Sequence, residues 1–237
     1  MASQIQTPWS KPPPERPAGL SREAIVAAAV ELADAEGIEA VSIRRIAAKL
    51  EARPMSLYTH IEHKGELIDL MVDEAMGAAV LPGEVPEDWR EALRQIAQRT
   101  RAAARAHPWS IALAFRRSLL GPKSLHHIDQ SLAAVSTLDL PFERKRAVLL
   151  AIDTYTLGYV RWEVLNWKDN QSNCANGGEY SQEQIDAYLA EQVASGEYPH
   201  LAAIAASDLT LGVKAESFEA GLEWLLGGIA AEVEGTV

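Results

Sequence analysis

Apolar residues recur at helical spacing through most of this chain, and nowhere do they alternate with the period of two that marks a half-buried strand. Ile25, Ala29, Leu32 and Ala33 make one inward stripe on a helix that Ser21 caps and Gly37 stops, with Ile38 closing its end hydrophobically. Ile43, Ile46, Ala47 and Leu50 follow Ser42 at i, i+3, i+4 and i+7, a second helix of about two turns. Glu51-Ala52-Arg53 then makes a turn, and Pro54 suits the first position of a third helix, where its missing N–H costs nothing. That helix reaches only to His60 or Ile61 and is too short to stand alone, so its neighbours must hold it. Leu57 and Ile61 anchor it as an i, i+4 pair, while Ser56, Thr59 and His60 fall on another face and are expected to point outward.

The rest also reads as helix, so the expected fold class is all-α. A helix starts at Lys64 and runs to about residue 81, before Pro82-Gly83; Trp89, Leu93, Ile96, Ala97 and Thr100 place the next, ending at His107-Pro108. A short segment over 109–115, helices over 123–138 and 141–167, and a loop-like stretch at 169–179 come next. Ser181 caps a shorter helix that Gly196 stops, and a final helix over 216–234 carries Phe218, Leu222, Leu225, Leu226 and Ile229. Gly221, Gly227 and Gly228 would each weaken that helix by roughly 1 kcal/mol, a cost that close helix–helix approach would justify. At the other end, five prolines within 1–19 deny that stretch a helix and leave it extended or disordered. Its Lys11 and Arg16 could follow DNA backbone as an arm, or the segment could be a tail with no role.

A length of 237 residues suits one small domain plus one larger one. Charge sharpens the picture: the chain carries a net charge of -11 and a pI near 5.0, which argues against a protein that coats nucleic acid nonspecifically. Yet residues 41–64 hold five basic side chains (Arg44, Arg45, Lys49, Arg53, Lys64) against two acidic ones (Glu51, Glu62). A positive window in an acidic chain points to a local patch for DNA, and short polar side chains on the third helix can approach base edges closely. Helix-turn-helix packing also occurs in proteins that bind no DNA. Cys174 is the only cysteine, so neither an intramolecular disulfide nor a cysteine-rich metal site is expected. With no signal pattern and no apolar run of about 18 residues, the expected location is the cytoplasm, away from any membrane. No phosphate loop, HExxH or nucleophile elbow supports an enzyme, although six histidines with Asp153 and Glu163 could be brought together by folding. His126 and His127 point in different directions on a helix and lack an i, i+4 partner, so neither a metal site nor any other cofactor is expected. A DNA-architectural protein would have no use for a large aromatic-rich domain.

The run Leu57-Tyr58-Thr59-His60, with Lys64 at the head of the following helix, closely resembles the DNA-binding domain of the TetR repressor family, strongly over 20–80 and more loosely beyond. Beyond the Pro-rich arm at 1–19, the resemblance implies a three-helix helix-turn-helix domain at 20–66 and a larger helical effector-binding and dimerisation domain at 67–237. It places phosphate contacts at Ser42 and Arg44, recognition-helix contacts on Pro54, Met55, Ser56, Tyr58, Thr59 and His60, and a backbone phosphate on Lys64. Many members have glycine where this chain has Glu51, a position that favours positive φ. The family's pairing of late helices across a two-fold axis implies a homodimer through the 141–167 and 216–234 helices, with ordinary intrachain packing as the alternative. Family members bind a small effector inside the larger domain; the candidate lining residues here are His107, Trp109, Phe115, His126, Tyr155, Tyr159 and Trp162. The same aromatics could equally be plain core. Phe115 stands where tetracycline-binding members carry a metal-ligating histidine, which argues against a magnesium–tetracycline effector. The implied function is a regulator that binds a palindromic double-stranded operator, most naturally a repressor released by its effector, with activation left open.

Overall fold

A computed structural model describes residues 7–10, 20–114, 120–172, 182–205 and 216–235, and everything it describes is helix, turn or connecting loop. Four helices build the N-terminal head. Ser21 accepts the Ala24 N–H at 3.1 Å to start α1 (Arg22–Glu36), and Gly37 ends it at φ 89° with its N–H on the Ala33 carbonyl. A single 3-10 turn, Ile38–Ala40, leads to α2 (Ile43–Lys49), whose first turn is capped by the Ser42 hydroxyl. Helix α3 is one turn long, Pro54–Leu57, and α4 spans Lys64–Gly77. At the start of α4 the His63 ring accepts the Glu66 N–H at 2.9 Å while the Glu66 carboxylate accepts the Glu62 N–H at 2.7 Å, a reciprocal cap with histidine in the usual serine position. The head core joins Ile25, Ala29, Leu32, Ile46, Leu57, Ile61, Leu67 and Met71, all buried. Helix α4 therefore belongs to this core together with α1, while the one-turn α3 packs against α2.

The turn between α2 and α3 explains itself in hydrogen bonds. The Ala52 N–H reaches the Ala47 carbonyl at 2.8 Å and the Glu51 N–H the Ala48 carbonyl at 3.3 Å, the paired bonds of a Schellman cap with Glu51 at its left-handed position. Glu51 has φ 52°, the only non-glycine residue with positive φ among those described. A side chain in that conformation costs about 1–2 kcal/mol, of which glycine's extra chain entropy would offset about half. Glu51→Gly is accordingly expected to raise the urea midpoint at unchanged slope, a gain of up to about 1 kcal/mol in stability. An unchanged or lowered midpoint would show that the carboxylate is held by something worth as much as the strain.

The body consists of α5 (Trp89–Ala106), α6 (Pro108–Ala114), α7 (Pro122–Ala134), α8 (Phe142–Ser172), α9 (Gln182–Ala194), α10 (Pro199–Ala205) and α11 (Glu216–Val233). Helices α5, α8 and α11 pack together around Leu93, Ile96, Val148, Ile152, Phe218, Leu222 and Leu226. A smaller cluster of Ala104, Ile111 and Val160 lies further along α5 and α8.

Several boundaries differ from the sequence reading. Helix α4 ends at Gly77 and its last turn tightens, with the Ala79 N–H on the Met76 carbonyl. Helix α7 stops at Ala134, and α8 runs on to Ser172, so the beginning of the expected 169–179 loop is helical. Helix α10, with Pro199 at its first position, was not anticipated. Within the N-terminal arm, Pro8–Ser10 form a 3-10 turn where no helix was expected: the Pro8 carbonyl accepts from Arg22 at 3.0 Å, and Trp9 packs on the head core. Lys11, Arg16, Phe115, Cys174 and Ser181 lie outside the described residues.

Candidate DNA-reading head and its connection to the body

Leu57 and Ile61 are fully buried and hold α3 down. What the short helix leaves uncovered is Met55 at 74% exposure and Tyr58 at 46%, together with exposed Pro54 and Thr59 and half-buried Ser56. The Ser56 hydroxyl donates to the Arg53 carbonyl at 2.6 Å and the Thr59 hydroxyl to the Ser56 carbonyl at 2.7 Å. Both oxygens keep lone pairs for a donor on a base edge. Ser42, by accepting the Arg45 N–H at 3.4 Å, keeps its hydroxyl proton for a phosphate.

His60 requires a correction. Its outward placement does not hold, because the ring is buried at 5% exposure, with neither nitrogen hydrogen-bonded among the described residues. The cause is local: α3 ends at Leu57, and the His60 N–H bonds the Leu57 carbonyl at 2.9 Å, three residues back. In a 3-10 turn residues i and i+3 eclipse, so His60 falls behind Leu57 instead of beside Ser56 and Thr59.

The five basic residues of the window also divide. Arg45 makes a two-pronged bond to Glu36, whose carboxyl it holds below its ordinary range, and Lys49 sits 2.9 Å from Glu31; both fasten α2 to α1. Arg44, Arg53 and Lys64 are exposed and have no side-chain partner among the described residues. Lys64 opens α4, where unpaired helix N–H groups add to its positive charge. Arg53 entered the sequence reading only as a charge. Its place next to Pro54 at the entrance to α3 makes it a contact candidate too.

Two carboxylates tie this head to the body. Asp34, on α1, accepts the Trp109 indole N–H at 2.7 Å and lies 2.8 Å from His107 Nδ1. Trp109 is buried in the head core, so these two candidates for pocket lining act as the joint between α1 and α6. Asp73, on α4, is buried and accepts the Ser124 N–H and hydroxyl, each at 2.8 Å, at the start of α7. Gly121 permits this approach, since a Cβ there would lie 2.1 Å from the Asp73 carboxyl. Further along, Gln130 of α7 pairs both its amide atoms with the Leu81 backbone.

Of the other pocket candidates, His126 is exposed on α7. Tyr155 stacks on Phe218 at 5.4 Å and donates to the Phe218 carbonyl at 2.8 Å; Tyr159 meets Phe218 edge-on at 5.2 Å and Trp162 at 6.4 Å. Arg101 completes this cluster, bonded through two nitrogens to Glu163 and placed 4.4 Å over the Phe218 ring. Among the described residues no group of three or more His, Cys, Asp and Glu side chains could hold a metal ion, and no helix is long and apolar enough to cross a membrane.

A short helix presented by a three-helix support, flanked by unpaired cations and joined to a larger helical body, defines a helix-turn-helix DNA-binding protein. Residues 25–71 match the family described as bacterial regulatory proteins, tetR family, and residues 81–233 match the tetracyclin repressor-like C-terminal domain. This chain is 33% identical over 211 residues to the HTH-type transcriptional repressor DrrR1 of Streptomyces coeruleorubidus, covering 89% of this chain and 77% of that one. It is 32% identical over 214 residues to an HTH-type transcriptional regulator of Saccharopolyspora erythraea, covering 90% and 85%. The crystal structure of ActR, a TetR family protein of Streptomyces coelicolor, in complex with (S)-DNPA superimposes with a TM-score of 0.68 at 26% identity, over 91% of this chain and all of that one. The chain belongs to the TetR family of transcriptional regulators.

Proposed function

We propose that the protein is a homodimeric repressor that leaves a palindromic operator when a small molecule binds its body. The observation that carries this reading is the set of unpaired cations, Arg44, Arg53 and Lys64, around an exposed Met55-Tyr58-Thr59 surface in a chain of net charge -11. Relatives add support: DrrR1 is named a repressor, and ActR has been crystallised with a small molecule. The dimer reading is supported by apolar surface left on two body helices. On α11 Trp224 is 79% exposed, and a Cβ at Gly227 or Gly228 would meet nothing. On α8 Phe142 and Leu150 are more than half exposed and Gly158 is open. Surface of that kind on a soluble regulator marks an interface. Two heads about one DNA turn apart, roughly 34–36 Å, would read the two half-sites.

Effector binding must favour a dimer whose heads no longer match that spacing, since a ligand indifferent to the two states shifts neither. The Asp34 and Asp73 joints are the rigid parts that would carry such a change.

The test is an anisotropy titration of DNA flanking the protein's own gene at two salt concentrations. Lys64→Ala and Arg53→Ala are expected to weaken binding on every sequence and to lower the salt slope by about one each, while Tyr58→Phe weakens it without sequence preference. Ser56→Ala and Thr59→Ala should change which base pairs are preferred. Equal losses on cognate and scrambled DNA for every variant would overturn the separate roles given to these side chains. Binding to no fragment by wild type would overturn the operator reading.

A further inference from the structure

The body core is interrupted by a polar layer. On α5, Ile96 and Ala97 belong to the large apolar cluster and Ala104 to the small one; on α8, Ile152 belongs to the large cluster and Val160 to the small one. Between them, one turn from either side, stand Thr100 on α5 and Thr156 on α8, with helices α5 and α8 packed against each other. Thr100 is 7% exposed and Thr156 0%, and neither hydroxyl has a hydrogen-bond partner among the described residues. Asp153 lies in the same layer, between Leu149, which packs on the large cluster, and Leu157, which packs on the small one. It has no hydrogen-bond or ion-pair partner among the described residues, and burial alone pushes its carboxyl up to about 6. Helix α7 packs on both α5 and α8 and carries buried His127, whose Nδ1 has no partner among the described residues and whose pKa burial lowers.

Orphaned groups of this kind are rare in a folded core, because an unmade hydrogen bond in an apolar setting is expensive. Two buried, unpartnered hydroxyls beside a half-buried carboxylate therefore call for a guest that completes them. The α5 face at this level carries small buried residues, Ala97, Ala103 and Ala104, beside Thr100. The guest must donate to Asp153, and it must be apolar on both sides, where Ile152 and Val160 flank the layer. We propose that Thr100, Asp153 and Thr156 form the polar contacts of the effector site and select an apolar amine, with its ammonium on Asp153 and its remaining N–H groups on the threonine hydroxyls. This rests on the regulator reading for its biological meaning, but the binding chemistry stands apart from it. An ammonium would supply the countercharge that the half-buried carboxylate lacks. A carboxylic acid of the same shape would meet a like charge and be refused.

The experiment uses three matched probes, naphthylmethylamine, naphthylmethanol and naphthoic acid, titrated by calorimetry into the full chain. Wild type is expected to bind the amine roughly tenfold or more tighter than the alcohol, and the acid more weakly still. Asp153→Asn should bring amine and alcohol to within about threefold of each other. The near-isosteric pair Thr100→Val/Thr156→Val should weaken amine and alcohol together while keeping the preference between them. Saturable binding by none of the probes, or an amine preference that survives Asp153→Asn, overturns the proposal and leaves the layer to buried water. Operator titrations on the same samples separate the two readings. DNA binding without amine binding sinks the ligand assignment alone, and amine binding without DNA binding sinks the regulator reading alone.

Discussion

Arg101→Met is expected to destabilise the protein by about 3 kcal/mol, measured as a fall in the urea midpoint at unchanged slope. Arg101 and Glu163 have side chains only 13% and 15% exposed, and the guanidinium binds both carboxylate oxygens while covering the Phe218 ring. Methionine keeps much of the packing over Phe218 and Tyr159 but leaves Glu163 charged in a place with little water. The loss should therefore come from the stranded carboxylate more than from the missing arginine. A second variant checks that division: Arg101→Met/Glu163→Met removes both charges and should recover a large part of the stability. A single variant within about 0.5 kcal/mol of wild type would show that Glu163 remains well solvated without its partner.

The second large effect concerns the joint between head and body. Gly121→Ala would put a methyl carbon 2.1 Å from Asp73 Cγ and Oδ1, well inside any real contact. Asp73 cannot retreat without giving up the Ser124 N–H and hydroxyl, both at 2.8 Å, and these bonds start α7. The expected cost is about 2 kcal/mol, combining overpacking with lost hydrogen bonds in a buried place. Asp73→Ala alone should cost a comparable amount, since it orphans the same donors, and adding Gly121→Ala to it should cost little more. Additive losses in that double-mutant cycle would mean that Gly121 and Asp73 do not act through each other.

How much of this could be read from the chain depends on the range of the interaction. Ser21, Ser42, Gly37 and Pro54 mark their helix ends because caps and turns act within a few residues, and all four stand where the pattern placed them. The positive φ at Glu51 was legible only through the family resemblance, whose members often carry glycine there; the cap it closes gives the reason. His60 was misplaced because the 3.6-residue period was carried through a segment that tightens after Leu57. The extension of α8 through Asp169, Asn170 and Gln171 contradicts local composition, which favours loops there but costs only fractions of a kcal/mol per residue in a long helix. The joints could not be read at all. Asp34 finds Trp109 and Asp73 finds Ser124 at separations of 75 and 51 residues, and no periodicity links such pairs. Thr100, Asp153 and Thr156 were likewise scattered polar positions until the register of α5 on α8 put them in one layer.

The two aspartates also set a rule for anyone who wishes to build hybrids. A reading head grafted from a relative onto this body will bring its own residues to the places of Asp34 and Asp73, and will meet Trp109, His107, Gly121 and Ser124 there. Unless the graft restores both acids, the body will lose its hold on the head at two points. Under the proposed function, such a chimera recognises its new operator but no longer answers to a ligand in the body.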